Sequence, residues 1–86
     1  MIVDFHRGFD KAYQQLPSRQ RQNFKARLAL FIGNRYSPEL NNHALKGVYK
    51  GYRSINISGD LRAIFIEHSP RHVEFVYIGR HAQLYK

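Results

Sequence analysis

The sequence predicts an α+β fold in which two helices pack against an antiparallel β-meander. Apolar residues recur at helical spacing between residues 7 and 32, and they alternate with a period of two from residue 52 onward. Turn-forming residues separate the alternating segments. The second helix carries a stripe of large apolar side chains, which needs an apolar sheet face as its partner. We therefore expect one domain over residues 1–86, with the element order β-α-α-β-β-β.

The first half of the chain contains a short strand and two helices. Residues 1–5 alternate around one polar position, which is typical of a strand. Residues 7–16 have apolar side chains at helical gaps, and Pro17 ends that helix. Ser18 is placed to cap a second helix over residues 19–32. The apolar stripe of this second helix consists of Phe24, Leu28, Phe31 and Ile32.

The second half predicts three consecutive strands after an irregular segment at residues 35–49. These strands are expected at residues 52–58, 61–66 and 72–78. Gly59-Asp60 and Ser69-Pro70-Arg71 form the turns between them, and Gly79 ends the last strand. The strand at residues 1–5 adds at a sheet edge or beside the last strand. The alternation at residues 52–58 puts Tyr52, Ser54, Asn56 and Ser58 on one face and Arg53, Ile55 and Ile57 on the other.

Composition and charge exclude several classes of protein. The chain has 14 Lys and Arg against 6 Asp and Glu, a formal net charge of +8, which predicts an anionic partner such as nucleic acid, an acidic protein or a membrane surface. It has no cysteine, so disulfides, zinc ribbons and thiol nucleophiles are excluded. No apolar run is long enough for a membrane span, and the N-terminus lacks a signal-peptide pattern. A cytoplasmic protein that does not act at a membrane is expected.

Two segments concentrate the positive charge. Residues 11–35 and residues 40–59 carry Lys and Arg without any Asp or Glu. In the second segment Tyr49 and Tyr52 alternate with the cations, a combination typical of surfaces that bind single-stranded RNA. The alternative is that these tyrosines pack at the sheet edge while the lysines and the helix cations are solvated.

Histidine and aspartate are the candidates for chemistry in a chain without cysteine. His43 opens the second basic segment, and His81 follows the last predicted strand. Asp60 lies at a turn, where Gly-Asp is also a common turn pair without any functional role. His68 and His72 flank a turn without an obvious third ligand, so we interpret them as surface histidines. No metal and no cofactor is expected.

Four motifs carry a resemblance to a known family. They are Asn42-His43-Ala44-Leu45-Lys46-Gly47, Lys50-Gly51-Tyr52-Arg53, Gly59-Asp60-Leu61-Arg62-Ala63-Ile64-Phe65 and Ile78-Gly79-Arg80-His81-Ala82-Gln83-Leu84-Tyr85. With these motifs the chain resembles the RelE/ParE superfamily of toxin-antitoxin toxins, most of all its YafQ-like RelE branch. The motifs are spread over residues 42–85, about half of the chain. The N-terminal half resembles the family only in its size and its basic helical character, and the predicted order of elements matches the family fold.

This resemblance implies a function. RelE-like members are mRNA endoribonucleases that usually act in the ribosomal A site, without a metal, by attack of the 2′-OH on the adjacent phosphate. A cognate antitoxin, encoded in the adjacent reading frame, holds the toxin inactive in a hetero-oligomer. Two alternatives stay open: a ParE-like toxin that poisons DNA gyrase, and a non-catalytic basic RNA-binding protein. The pair of histidines His43 and His81 argues against the ParE-like alternative, because those relatives generally lack it.

The resemblance also implies roles for individual residues. His81 matches a general acid or base, and Asp60 matches a residue that orients an imidazole or accepts a proton. His43 matches a second proton-transfer group or a phosphate ligand, Arg62 an arginine that binds the scissile phosphate, and Tyr85 an aromatic that stacks on a base or donates a proton. The expected contacts with the RNA backbone are Lys46, Lys50, Arg53 and Arg80.

One position departs from the family pattern. The YafQ-like pattern can carry another histidine in the first strand of the meander, where this chain has Asn56. Asparagine forms hydrogen bonds but transfers no proton near neutral pH. The residue set of the YafQ-like branch is therefore incomplete in this chain.

Overall fold

The computed structural model describes residues 1–84 and consists of two helices packed on one face of a five-stranded mixed sheet. The strands are β1 (Ile2–Phe5), β2 (His43–Ala44), β3 (Arg53–Ser58), β4 (Leu61–Ser69) and β5 (His72–Arg80). The helices are α1 (Arg7–Gln14), α2 (Ser18–Gly33) and the short α3 (His81–Leu84). The strand order is β1-β5-β4-β3-β2. β1 pairs in parallel with β5, and the other neighbours are antiparallel. The predicted α+β class is confirmed.

The two long helices begin with different capping interactions. The Nδ1 atom of His6 accepts a hydrogen bond from the Gly8 amide at 2.9 Å, so His6 caps α1. The carbonyl of Pro17 accepts the first helical hydrogen bonds of α2, from Gln20 at 3.0 Å and from Arg21 at 3.1 Å. Ser18 is therefore the first helical residue, and the predicted Ser18 cap is wrong.

An aromatic core joins the helices to the sheet. Phe9 of α1 and Phe24 and Phe31 of α2 are buried against the side chains of β3, β4 and β5. Ile32 is 53% exposed and does not belong to the buried stripe, contrary to the sequence prediction. Successive helical residues point about 100° apart, so Ile32 turns away from the sheet when its neighbour Phe31 faces it.

The sheet extends further than the sequence predicts in β2, β4 and β5, and β4 continues to Ser69 instead of ending at residue 66. β2 lies inside the segment predicted to be irregular, where His43 pairs with Ser54. β5 continues past the predicted stop at Gly79, because Gly79 and Arg80 find partners in Arg62 and Leu61 of β4. Pairing with a neighbouring strand outweighs the weak strand preference of glycine.

A β-bulge in β3 changes the face on which one side chain lies. The register between β3 and β4 shifts between Asn56 and Ser58. As a result Ser58 points toward the helices, where its Oγ donates to Gln20 Oε1 at 2.7 Å. The strict alternation predicted for residues 52–58 is thus wrong at Ser58.

Three of the six Lys and Arg side chains in residues 11–35 have structural partners. Arg21 donates to the Leu16 carbonyl at 2.6 Å, Arg27 donates to the Ile57 carbonyl at 3.1 Å, and Arg35 pairs with Glu67. The exposed cations of this segment are Lys11, Arg19 and Lys25. Among residues 1–84, no helix is both long enough and apolar enough to cross a membrane.

Candidate active site

The sheet face turned away from α1 and α2 carries the polar side chains of the candidate site. We define this open face by the side chains of His43, Ser54, Asn56, Arg62 and Ile64. His43 pairs with Ser54 and Ser54 with Ile64, while Asn56 pairs with Arg62. Because paired residues share a face and alternate residues return to it, all five lie on one side of the sheet.

Four of the singled-out positions form a diagonal across the sheet. His43 lies on β2, Asn56 on β3 and Arg62 on β4, and His81 directly follows the end of β5. At ~4.8 Å per strand, the backbones of β2 and β5 are roughly 14 Å apart. Arg62 therefore lies between the two histidines, which approach it from opposite sides.

The turn between β3 and β4 brings Asp60 next to His81. Gly59 adopts a left-handed backbone with φ +50°, which allows a two-residue connection between the paired residues Ser58 and Leu61. The amide of His81 donates to the Asp60 carbonyl at 2.8 Å. Both residues are exposed, so their side chains are accessible to a ligand on this end of the sheet.

Arg62 is held over the same turn. Its Nη1 atom donates to the carbonyls of Gly59 at 2.8 Å and of Leu61 at 3.2 Å. These acceptors are neutral, so they orient the guanidinium without neutralising its charge. Arg62 is consequently a fixed cation that can bind an anion with its remaining donors.

His43 is held in one tautomer by its neighbour. Its Nδ1 atom lies 2.7 Å from the carbonyl oxygen of Asn41, which adopts a left-handed backbone with φ +46°. A carbonyl can only accept, so Nδ1 must carry the proton. In the neutral ring Nε2 then bears the lone pair, which is the form that a general base requires.

The floor between His43 and Arg62 contains two unpartnered polar atoms. The Oγ of Ser54, a residue without exposed surface, and the buried Oδ1 of Asn56 have no hydrogen-bond partner among the described residues. A buried polar atom without a partner costs about 1–3 kcal/mol.

The loop between β2 and β3 covers the part of the open face around Ile64. Tyr49 and Tyr52 pack against Leu45 and Ile64, which form a small second core. This contact agrees with the alternative in which the two tyrosines pack against the sheet instead of binding RNA. The exposed cations around the site are Lys46, Lys50 and Arg80. Tyr85 lies outside the described residues.

Arg53 lies on the other face of the sheet. It alternates with Ile55 of the main core and pairs with the buried Phe65. Its Nε donates to Asn42 Oδ1 at 2.8 Å and lies 4.0 Å from Glu67 Oε1. Arg53 thus links the segment before β2 to the sheet, and Asn42, whose role the sequence did not reveal, is its partner. An asparagine in a loop carries no pattern that would identify such a contact in advance.

The variant Arg53→Ala separates a structural role from a contact with RNA. We expect it to lower the free energy of unfolding by about 1–3 kcal/mol, because Asn42 and Glu67 lose a charged donor. RNA affinity should stay within about twofold and its salt dependence should not change. The matched variant Lys50→Ala should do the reverse, with unchanged stability and a shallower salt dependence. Urea unfolding and RNA titrations at several salt concentrations measure both; a weaker salt dependence in Arg53→Ala would contradict the structural assignment.

The two histidines at the opposite end of the sheet have carboxylate partners. His68 Nε2 lies 2.9 Å from Glu74 Oε1, and His72 Nε2 lies 2.6 Å from Asp4 Oδ2. The second contact ties β1 to β5. These contacts agree with the interpretation of His68 and His72 as surface histidines.

Comparison with protein families decides the identity of the fold. Residues 1–86 match the YafQ toxin family, described as "Bacterial toxin of type II toxin-antitoxin system, YafQ". The chain belongs to the YafQ family. This match spans the whole chain, including the N-terminal half, in which the sequence motifs were absent. Among curated protein sequences, none matches the chain.

Solved structures of YafQ and related toxins share the fold. YafQ from E. coli strain BL21(DE3) is 22% identical with a TM-score of 0.81, over 98% of this chain and 97% of that one. The toxin of the E. coli DinJ-YafQ toxin-antitoxin complex is 23% identical with a TM-score of 0.78, over 98% and 96%. A chain of the archaeal RelE-RelB complex from Pyrococcus horikoshii OT3 is 17% identical with a TM-score of 0.72, over 95% and 96%. At these identities the likeness shows the shared fold.

Proposed function

We propose that this YafQ-family toxin is an endoribonuclease that cleaves mRNA on the ribosome and so inhibits translation. The observation that carries the proposal is the position of Arg62 between His43 and His81 on the open face. In cleavage by the 2′-OH, the attacking and leaving oxygens lie on opposite sides of phosphorus. The reaction needs a base on one side, an acid on the other and a cation between them.

The proposed reaction uses each of these groups once. Nε2 of His43 takes the proton of the 2′-OH, whose oxygen then attacks the adjacent phosphorus. The guanidinium of Arg62 binds the phosphate and stabilises the negative charge that develops on its oxygens. His81 in its imidazolium form donates a proton to the departing 5′-oxygen. The products are a 2′,3′-cyclic phosphate and a 5′-OH, and the chemistry requires no metal.

Asp60 and the surrounding cations support this reaction. Asp60 is adjacent to His81 through the 2.8 Å backbone hydrogen bond, and its proposed role is to orient the imidazole or to accept a proton. The RNA strand would lie across β3 and β4, with the exposed Lys46, Lys50 and Arg80 along its phosphates. Tyr85 is proposed to stack on a base or donate a proton.

An antitoxin is the second proposed partner. The family is one of type II toxin-antitoxin systems, and the E. coli relative forms a complex with DinJ. We propose that a cognate antitoxin, encoded beside this chain, forms a hetero-oligomer with it. The net charge of +8 suits both RNA and an acidic antitoxin segment, so binding of the antitoxin would exclude RNA.

Induction of the wild-type chain in a bacterial host tests the proposed function. We expect growth arrest with discrete new 5′ ends in mRNA, mapped by primer extension within minutes of induction. Co-expression of the antitoxin should abolish both effects. Accumulated DNA breaks with intact mRNA would instead establish gyrase poisoning, and the absence of any growth effect would leave only RNA binding.

The variant Asn56→His tests the departure from the family pattern. Asn56 lies between His43 and Arg62 along the diagonal, and its Oδ1 is buried without a partner. An imidazole at this position adds a proton-transfer group, which should raise the rate of RNA cleavage by about tenfold or more. Asn56→Gln, which adds length but no proton transfer, is the control. Equal cleavage rates in the two variants would show that this position takes no part in proton transfer.

A further inference from the structure

Tyr77 lies on the open face of the sheet, but the reaction proposed above does not use it. Its backbone pairs with that of Ile64, so the two side chains lie on the same side of the sheet. Tyr77 is 39% exposed, and within residues 1–84 its side chain has no hydrogen bond and no contact with another aromatic ring. The ring is therefore available to a ligand that binds beside Arg62.

A β-bulge in β5 puts Tyr77 on this face. Ile64 pairs with Tyr77, but the next residue of β4 pairs with Phe75, so Val76 is an extra residue in β5. Regular alternation after the buried Phe75 would direct Tyr77 into the main core and Ile78 to the open face. The bulge reverses this order, because Ile78 is buried in the main core and Tyr77 is exposed. The sheet thus presents an aromatic ring that a regular strand would bury.

Tyr77 lies within reach of a nucleotide that is bound at Arg62. Gly79 is the partner of Arg62 on β5, and Tyr77 precedes Gly79 by two residues. Such diagonal neighbours have Cα atoms roughly 7–8 Å apart, a distance that aromatic and long side chains can span. β5 is also the strand that leads into His81, whereas His43 lies on β2, at the opposite side of Arg62. The ring therefore lies on the side of the departing oxygen in the proposed reaction.

An apolar floor lies next to the ring. Ile64 is fully buried, and Val76 packs against the small second core to which Ile64 belongs. An aromatic ring beside an apolar floor suits the flat face of a base, and the fixed guanidinium of Arg62 suits a phosphate. This combination fits an unstacked nucleotide of single-stranded RNA.

We infer that Tyr77 stacks on the base of the nucleotide immediately 3′ of the cut and thereby contributes to sequence preference. The inference rests on the proposed function, because it assigns part of the same RNA to this ring. The departing 5′-oxygen belongs to that nucleotide, so stacking of its base holds the oxygen on the side of His81. Purines offer a larger surface for stacking than pyrimidines, and cleavage should therefore favour a purine at this position.

Two small phosphates test the stacking without any cleavage. Adenosine 5′-monophosphate and ribose 5-phosphate carry the same phosphate, and only the first has a base. Each is titrated into the isotope-labelled chain and followed by NMR. Adenosine 5′-monophosphate should bind about tenfold more tightly and shift the ring protons of Tyr77 upfield, whereas ribose 5-phosphate should shift only residues around Arg62. Equal affinities, or tight binding without a shift of the Tyr77 ring, would overturn the inference.

Matched variants identify the contribution of the ring. Tyr77→Leu should lower the affinity for adenosine 5′-monophosphate to that for ribose 5-phosphate, while Tyr77→Phe should keep it within about twofold, because stacking needs the ring and not the hydroxyl. Tyr77→Trp should bind it more tightly through its larger ring. Tyr36→Leu makes the same change at a tyrosine that is 63% exposed and lies after α2, and it should have no effect. Equal losses in Tyr77→Leu and Tyr36→Leu, with thermal unfolding unchanged, would contradict the inference.

Cleavage of an RNA that lacks one base distinguishes failure of the inference from failure of the proposed function. An abasic nucleotide immediately 3′ of the mapped cut should slow the wild-type toxin about tenfold and Tyr77→Leu by less than about twofold. If both are slowed equally, the nuclease function stands and the inference is wrong. If adenosine 5′-monophosphate stacks on Tyr77 but no RNA is cut, the base site stands and the nuclease function fails. If only the purified antitoxin shifts the Tyr77 ring, the ring belongs to the antitoxin interface and the inference is wrong.

Discussion

Replacement of His81 by alanine should reduce RNA cleavage by about 10²–10⁴-fold, the usual effect of removing a group that transfers a proton in the transition state. The fold should remain intact, because His81 is exposed and its structural contact with Asp60 uses the backbone amide, which alanine retains. Single-turnover cleavage of a defined mRNA on ribosomes measures the effect, and thermal unfolding of the same sample monitors the fold. Growth arrest on induction should disappear in parallel.

A second histidine provides the control for this experiment. His68 is 43% exposed and lies near the far end of β4, where it contacts Glu74 at 2.9 Å. His68→Ala removes the same side chain from a comparable surface and should leave cleavage within about twofold. Full activity of His81→Ala, or equal losses in the two variants, would remove His81 from the proposed mechanism.

Replacement of Phe75 by alanine should have the largest effect on stability. Its side chain is fully buried at the centre of the sheet, and its ring contacts aromatic neighbours from β1, β4, α1 and α2. The ring centroids lie between 5.3 and 5.9 Å from those of Phe5, Phe9, Phe24, Phe31 and Phe65. Truncation of a buried phenylalanine costs about 3–5 kcal/mol, a large share of the ~5–15 kcal/mol that stabilises a typical domain.

Urea unfolding followed by circular dichroism measures this change. Tyr36→Ala is the control, because Tyr36 is 63% exposed and lies outside the core. The control should change the free energy of unfolding by less than about 0.5 kcal/mol. If Phe75→Ala unfolds at nearly the wild-type urea concentration, the aromatic cluster does not join the helices to the sheet as described.

Periodicity was sufficient to predict the main elements, but strand pairing depended on information outside each segment. The two helices and the three meander strands follow from spacings of 3.6 and 2.0 residues, which act within a segment. β2 contains two residues, His43 and Ala44, and two residues display no period. The turn of Ser58 toward the helices depends on a bulge opposite β4, and the extension of β5 through Arg80 depends on Leu61. Such features are decided by the partner strand.

The candidate site, like the fold, could be predicted only in part from the sequence. The sequence singled out His43, Asn56, Arg62 and His81 by residue type and resemblance, but their order across β2, β3, β4 and the end of β5 is a property of the sheet. Arg53 shares the composition of the RNA-binding candidates, yet the alternation of β3 puts it on the helix side with Asn42. The unpartnered Oδ1 of Asn56 also emerges only from packing. Residue type indicates possible chemistry, and the fold decides which groups can act together.

The positively charged side chains of the chain fall into two groups with distinct roles. Arg21, Arg27, Arg35 and Arg53 stabilise the fold through carbonyl, amide or carboxylate partners. The exposed cations around the open face supply the surface for RNA in the proposed function. Substitution of the second group should therefore weaken RNA binding without unfolding the chain.

The chemistry of the cleaved ends tests the central claim most directly. A defined mRNA is cut on ribosomes by the purified toxin in the presence of EDTA, and a second mRNA carries one 2′-deoxyribose immediately 5′ of the mapped cut. Attack by the 2′-OH predicts a 2′,3′-cyclic phosphate and a 5′-OH on the first RNA, and no cut at that position on the second. A 5′-phosphate end, or cleavage of the deoxy-substituted RNA at the same position, would contradict a mechanism in which His43, Arg62 and His81 act on a 2′-OH.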